Sequence, residues 1–580
     1  MNTDIKAVQI IISLLKQNDI RHFVISPGTR HVPLVHCVEM DPFFKCYSVV
    51  DERSAGYFAL GLSEALDKPV CVTCTSSTAS CNYMPAMQEA YERGVQLIAL
   101  TSDKARYRMY HGISQCIDQV DMYKPYRSYA VDVPVVNNSD DYWYCNRCVN
   151  EALLEVNHHR KGPVQINFLE PVNIATLAKF NEKELPVTRK IDRNISPNWE
   201  IISKKLCSKK KILVLCGQYY CDNVQLSKAI SKFYNRYNVV VTYDSFSNVR
   251  GEDFILSPLI GQTFNLEEAN KLRPDLIITY GSKVYSDLMG TYYGEKIEHW
   301  DINDEGRVFD STKNLTTIFE CKPYDFFSNL TNKGDGNDKQ YLALWKQIAA
   351  TRHNNIDKYS NYYVAKHVID AAPNDTIIHA SVLNSMKFTN YCELKDGIDA
   401  FGNINADGID GALSTFLGQA NTTDRTCLLV IGDLSFLYDL NASGYILKPN
   451  IRILLINNHA GGEFHYNIGK RKISTIDWHI AASHNTDIKN TPAICNLTYL
   501  TASNEEELNE RIKDFFKPSE KPVLLEVFTD ANDDGETLRA FLASNHIRTK
   551  KEKISLFARK MMGQKLFSLI KTKLRGSEVN

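Results

Sequence analysis

At 580 residues the chain is too long for one hydrophobic core, and domains of roughly 100–200 residues imply about three of them. With 44% hydrophobic and 23% charged residues and a net charge of −1, it has a globular composition and no chain-wide basic field for nucleic acid. The opening MNTDIKAVQIIISLLKQNDI spaces its apolar residues as a helix rather than as a signal peptide, and no apolar run reaches about 18 residues, so a cytoplasmic protein is expected.

From residue 20 to about 178, β-rich apolar runs alternate with helical patterns. HFVISPGT, PVCVTCTSS, VQLIALTSD and GPVQINFLEP read as strands of a parallel sheet covered on both faces. A polar stretch at 179–207 reads as a linker. A second alternating unit follows, with strands KILVLCG, NVVVTYD, DLIITYG and IEHWDIND, and no GxGxxG after the first of them. Charged, glycine-containing sequence at 331–340 marks the next boundary. A third unit runs from about 355 to 540, with strands TIIHAS, CLLVIGD, IRILLINN and PVLLEVF and the layout of the first. The expected architecture is α/β: three doubly wound parallel-sheet domains at 1–178, 179–345 and 346–545, then a helical tail at 546–580.

That tail holds ten basic residues against two acidic ones, a net +8 that leaves −9 on the first 545 residues. Ile554, Phe557, Met561, Leu566, Leu569, Ile570 and Leu574 recur at helical spacing. Such a helix packs on its own domain or lies peripherally on an anionic membrane or acidic partner. The fifteen cysteines read as reduced small hydrophobes. Cys71 and Cys74 sit in a strand, where period-2 alternation sends them to opposite faces, and Cys145 and Cys148 lie in a helical stretch without a second pair.

The third unit carries the most informative spacing. One strand ends in Gly432-Asp433 and the next, 25 residues on, in Asn457-Asn458, both at the carboxyl edge of a parallel sheet. Asp433, the Asn458 amide and a backbone carbonyl just beyond offer oxygen ligands to a hard cation. Gly432, Gly461 and Gly462 allow backbone to approach a diphosphate. Turn residues capping strands and helices are the alternative for the same residues.

Gly432-Asp433 to Asn457-Asn458 resembles the cofactor signature of thiamine-diphosphate enzymes. Six segments are similar to one branch, the MenD-type 2-succinyl-5-enolpyruvyl-6-hydroxy-3-cyclohexene-1-carboxylate (SEPHCHC) synthases of menaquinone biosynthesis. They are SPGTRHVPL (26–34), DERSAGYFALGL (51–62), TSSTASCNYMPA (75–86), GISQCIDQ (112–119), ADGIDGALSTF (406–416) and GDLSFLYDLN (432–441). The resemblance implies thiamine diphosphate with Mg2+ or Mn2+, and it implies decarboxylation of a 2-oxo acid with transfer of the acyl unit to a small-molecule acceptor. Glu52 matches the glutamate that hydrogen-bonds the aminopyrimidine ring and promotes loss of the thiazolium C2 proton; read alone, Asp51-Glu52 is an acidic pair at a helix N-terminus. Ile409 matches the apolar buttress of the cofactor, and read alone is a core aliphatic. Asp433, Asn458 and the Ala460 carbonyl match the metal ligands, and Ser385, Gly432 and Leu434 belong with the diphosphate. In this family two chains share each active site, so a homo-oligomer is implied, and no nucleic acid.

The substrate positions depart from the family. Arg30 and Gln115 are retained and Lys104 stands where the family has arginine. Thr389 takes the place of another arginine, with Lys387 near as a substitute; Ile404 replaces a second, and Asp407 adds a negative charge. A Lys-Arg pair of the family aligns with Asp287-Leu288, and Glu463, followed by Phe464, stands where the family has isoleucine. Each lost charged partner in a desolvated site costs on the order of 2–5 kcal/mol. The cofactor half therefore reads as intact and the substrate half as rebuilt for a different donor, acceptor or both. Pyruvate is a natural donor, and Glu463, His459, His465 and Tyr466 suit a polyhydroxylated or amino-bearing acceptor, although His465 also reads as a surface histidine. The alternatives are a genuine SEPHCHC synthase acting on 2-oxoglutarate and isochorismate, and a non-catalytic cofactor-fold interaction protein, against which joint retention of Glu52, Asp433 and Asn458 argues.

Overall fold

The computed structural model describes residues 2–169, 180–181, 185, 188–219, 222–281, 284, 287–446, 448–468, 473, 475–490 and 496–549. The chain divides into two compact units, Met1–Ile195 with Gly306–Glu320 and Ser196–Glu305 with Cys321–Asn580. Of the amphipathic tail expected at 546–580, residues 550–580 lie outside the described residues.

In the first unit six parallel strands stand in the order Lys45–Ser48, His22–Ile25, Val70–Cys74, Leu97–Asp103, Val164–Leu169, Tyr129–Val133. In the second, six parallel strands stand in the order Asp399–Gly402, Ile377–Ala380, Cys427–Gly432, Ile451–Asn457, Val523–Phe528, Thr498–Ala502. Numbered along the chain, both orders are 2-1-3-4-6-5, the shared layout expected from the sequence. The second unit also holds a parallel sheet with Glu298–Ile302, Leu276–Tyr280, Ile212–Cys216, Val239–Tyr243 and Ile255–Leu256 side by side.

Unbroken apolar runs make the central strands because helices cover both faces. Leu428 and Val430 pack with Val364, Ile378 and Leu454 on one side, while Leu429 and Ile431 pack with Leu413, Phe416 and Ile453 on the other. Cys71 and Cys74 likewise enter opposite layers, with Phe23 and Val24 respectively, and cannot clamp one ion. Burial pushes both thiols above their ordinary range.

Two expectations need correction. The stretch 179–207 contains a strand, Asp192–Asn194, and a helix, Trp199–Cys207, whose first turn is capped by Asn198. Lys45–Ser48, Tyr129–Val133, Asp399–Gly402 and Thr498–Ala502 are strands without the apolar runs that marked the others. All four are sheet edges, where one flank has no neighbouring strand and polar groups can satisfy it; along Asp399–Gly402 the Asn248 amide pairs with both the N–H and the carbonyl of Ala400.

Candidate active site

The order 2-1-3 reverses the direction of winding between Ile377–Ala380 and Cys427–Gly432, and open α/β sheets bind ligands at the carboxyl ends of such strands. A cavity of about 260 Å3 opens at this point. It is lined from Ser381–Ser385 after one strand, Gly432–Ser435 after the other, Asn458 and Ala460–Phe464 after Ile451–Asn457, and by Ile409. Leu383 adopts φ +57°, an uncommon conformation for a branched residue, at the turn that delivers Asn384 and Ser385 into the helix Asn384–Tyr391. Ser435 Oγ donates to the Ile409 carbonyl at 2.7 Å, which fixes that loop. Ile409 is 37% exposed on the cavity wall, so its reading as a core aliphatic does not hold.

Asp433 opens the helix Asp433–Tyr438, and its side chain is 5% exposed. The backbone N–H of Leu434 donates to Oδ1 at 2.7 Å, whereas Oδ2 is buried without a hydrogen-bond partner; His484 Nε2 stands 3.4 Å away, out of alignment. Burial lifts this carboxyl to about 6, against the opposing pull of the N–H groups of Leu434, His459 and Ala460. The adjacent asparagines divide their work. Asn457 is turned into the sheet, donating to Glu526 Oε1 at 2.8 Å and to the Thr486 carbonyl at 3.0 Å. Asn458 faces the cavity, and its Nδ2 donates to Asp534 Oδ2 at 3.0 Å, so the amide oxygen points the other way. Gly462 leaves no space beside that amide: a Cβ there would come within 2.6 Å of Asn458 Nδ2.

Asp534 was missed by sequence reasoning. It sits in the first turn of the helix Ala531–Asn545, capped by Asp530, and also accepts from Asn361 N–H at 2.8 Å and Thr529 Oγ1 at 2.8 Å. The only charged side chains lining the cavity among the described residues are Asp433 and Glu463, both acidic. A diphosphate needs a cation between itself and such a wall. The donors at hand, an orphaned carboxylate oxygen, an oriented amide oxygen and a nearby backbone carbonyl, are all oxygens and suit a hard divalent ion.

The residues of this unit expected from the sequence to meet substrate form an ion-paired cluster. Lys387, 10% exposed, donates to both carboxylate oxygens of Glu463 at 3.1 Å and lies over the Tyr466 ring at 4.5 Å. Asn467 donates to Glu463 Oε1 at 2.7 Å, and Asp287 is within electrostatic reach of Lys387. Phe464 and Glu463 line the cavity. His465 is neither exposed nor a lining residue: it is buried with Nδ1 facing Asn532 Oδ1 at 3.1 Å. The expected arginine-free positions are also buried, Thr389 bonding the Ser385 carbonyl and Ile404 packing with Phe246, Val382 and Met386.

In the first unit the matching reversal brings Ser26–Arg30 beside Thr75–Ser77. Gly28 is required there, because a Cβ would stand 2.5 Å from Thr75. Arg30 Nε is buried without a hydrogen-bond partner. Lys104 is buried and donates to the Ser114 carbonyl; burial and the Arg30 charge lower its pKa. Ser76 Oγ donates to the carbonyl of Gln115, whose side chain is exposed. Glu52 is the first residue of the helix Glu52–Leu66; Asp51 caps it by accepting from Ser54 N–H at 2.7 Å.

Residues 5–122 match the family model of the thiamine pyrophosphate enzyme N-terminal TPP binding domain. The chain is 32% identical to the 2-succinyl-5-enolpyruvyl-6-hydroxy-3-cyclohexene-1-carboxylate synthase of Bacteroides thetaiotaomicron over 93% of its own length and 99% of the relative's. Proteins of the same name from Bacteroides fragilis (32%, covering 93% of this chain and 99% of the relative) and Flavobacterium johnsoniae (29%, 93% and 98%) are also similar. Similarity of this extent, joined to a thiamine pyrophosphate domain at its start, means that the chain belongs to the MenD-type SEPHCHC synthase family of thiamine-diphosphate-dependent enzymes.

Proposed function

We propose that the protein decarboxylates a 2-oxo acid with thiamine diphosphate and Mg2+ or Mn2+, and joins the remaining acyl unit to a second small molecule. Bound thiamine diphosphate supplies the electron sink for loss of carbon dioxide. Asp433, Asn458 and the Ala460 carbonyl hold the metal ion, and Ser385, Gly432 and Leu434 border the diphosphate. Ile409 supports the cofactor from its apolar side, and Glu52 holds the hydrogen bond to its aminopyrimidine ring. On the family's pattern Glu52 serves a cofactor bound by a partner subunit, so a homo-oligomer goes with this reading, as do a pyrimidine-binding domain at 1–178, a central one at 179–345 and a diphosphate-binding one at 346–545. The observation that carries it is the buried, partnerless Oδ2 of Asp433 beside the oriented Asn458 amide. Calorimetric titration with thiamine diphosphate tests it: binding should require Mg2+ and disappear in Asp433→Asn. Mg2+-independent binding, or an unchanged Asp433→Asn, overturns it.

For the substrates, similarity over 93% of the chain supports the SEPHCHC synthase pair, 2-oxoglutarate and isochorismate. One observation favours a second reading with a changed pair. Lys387, paired with the cavity-lining Glu463 and within electrostatic reach of Asp287, is neutralised by its acidic neighbours, which leaves it little positive charge for a second carboxylate. Product formation from 2-oxoglutarate and isochorismate at ~1 s⁻¹ or more selects the first reading. Decarboxylation of pyruvate in preference to 2-oxoglutarate selects the second.

A further inference from the structure

In the first unit two histidines and two glutamates converge away from any motif of the cofactor. The helix Ser139–Glu155 runs into a short hairpin, Asn157–His158 paired with Arg160–Lys161, which turns through His159 at φ +54°. His158 Nδ1 is 3.0 Å from Glu155 Oε2 and its Nε2 is 2.9 Å from Glu320 Oε2. His159 Nε2 is 3.0 Å from the other oxygen of Glu320, and the two rings stack at 4.1 Å. Gly306, at φ +65°, clears the space: a Cβ there would collide with Glu320 and His158. Arg193 donates to Glu155 Oε1 at 2.6 Å and to the Gly306 carbonyl at 2.9 Å, and its Nε stands 4.0 Å from Glu320 Oε2.

A neutral imidazole carries one N–H. His158 has a carboxylate oxygen against each ring nitrogen, so one contact sets lone pair against lone pair unless a positive charge intervenes. A second proton on His158 would turn both contacts into donors, at the cost of an imidazolium stacked at 4.1 Å on the His159 ring. One divalent ion among His158 Nε2, His159 Nε2 and Glu320 removes the conflict and leaves both rings neutral. We propose that these three residues bind a zinc-class first-row transition-metal ion. The set is His2Glu, with nitrogen donors that Mg2+ and Ca2+ disfavour. Glu155 supports His158 from the opposite nitrogen, as metal-bound histidines are commonly supported, and is itself held by Arg193. One donor atom from each of the three residues lies within 4.8 Å of the others, against a tetrahedral edge of roughly 3.3 Å for ~2.0–2.1 Å bonds, so small side-chain shifts close the set on an ion. The side chain of His159 is 67% exposed, which gives the ion an entry path and a water for the open position. Such an ion would pin the hairpin to the end of the strand Leu315–Phe319.

The test uses untagged full-length protein, stripped by chelator and titrated with Zn2+ and Co2+ in the presence of thiamine diphosphate and excess Mg2+. The wild type should take one more Zn2+ per chain than His159→Gln, and Co2+ should give a visible tetrahedral absorption that the variant lacks or shows only at ~10–100-fold higher metal. Because the His159 side chain is exposed, the variant should keep the wild-type fold, which circular dichroism checks. Equal stoichiometry and affinity in the two proteins, or no Zn2+ bound by the wild type, overturns the proposal. Neither result depends on the role of Asp433, which both proteins retain.

Discussion

Asp534 Oδ2 accepts a hydrogen bond from Asn458 Nδ2 at 3.0 Å and, together with a longer contact of 3.4 Å from Ala460 N–H to Asn458 Oδ1, sets the orientation of that amide. An amide has one metal-binding end and one donor end. With the donor end engaged, the oxygen is held towards the Ala460 N–H, whose 3.4 Å contact leaves it acceptor capacity for a cation. Asp534 is therefore a positioning residue in the proposed site, held in turn by Asn361 N–H and Thr529 Oγ1.

Asp534→Asn keeps an acceptor oxygen for its backbone partner but no longer selects one orientation of Asn458. Mg2+ affinity in the presence of thiamine diphosphate should fall ~10–100-fold with the fold unchanged. Calorimetry with Mg2+ reads this directly, and an unaltered affinity would refute the positioning role.

Glu463→Gln removes the charge that neutralises Lys387. The freed ammonium should strengthen binding of a dicarboxylic 2-oxo acid, lowering the KM for 2-oxoglutarate by roughly tenfold, about 1.4 kcal/mol, with a smaller effect on pyruvate. Initial-rate measurements with both donors check the split. Equal changes for the two donors would show that Lys387 does not reach substrate.

Glu52→Gln should bind thiamine diphosphate and Mg2+ nearly as well as the wild type while turnover falls about 10²–10⁴-fold, the usual scale for a lost proton-transfer group. Exchange of the cofactor C2 proton followed by NMR is the discriminating measurement. Wild-type exchange in the variant would remove Glu52 from the chemistry.

Stability should fall on acidification through two buried histidines. His31 and His379 are held at about 4, well below the usual histidine value, chiefly because burial disfavours the charged ring. The unfolded chain takes up protons below pH ~6.5 while the folded chain does not. Their contribution is therefore fully present above that value and lost as pH falls towards 4, at roughly 2 kcal/mol per histidine by pH 5. Urea midpoints at pH 7 and pH 5 measure the loss, which should be smaller in His379→Gln; an unchanged difference would show that this ring protonates without unfolding.

The central strands were readable because residues such as Leu428–Ile431 are apolar on both faces, and the candidate cofactor segments because Gly432-Asp433 and Asn457-Asn458 fall at successive strand ends. The edge strands were not, since one flank lies outside the ladder and other polar groups can satisfy it, as Asn248 does for Ala400. Ile409 shows the limit for single residues: an isoleucine in a GIDG turn looks like core until the turn is seen to face a cavity.

Local sequence determined the kind of chemistry, because strand ends, helix starts and the oxygen ligands placed on them are set by neighbours in the chain. Tertiary structure alone decided what those groups confront. Asp534 lies 76 residues from Asn458, Glu463 the same distance from Lys387, and Glu320 162 residues from His158. Charge pairing acts through space over a few ångströms, and spacing along the chain carries no record of it until the sheets have brought the partners together.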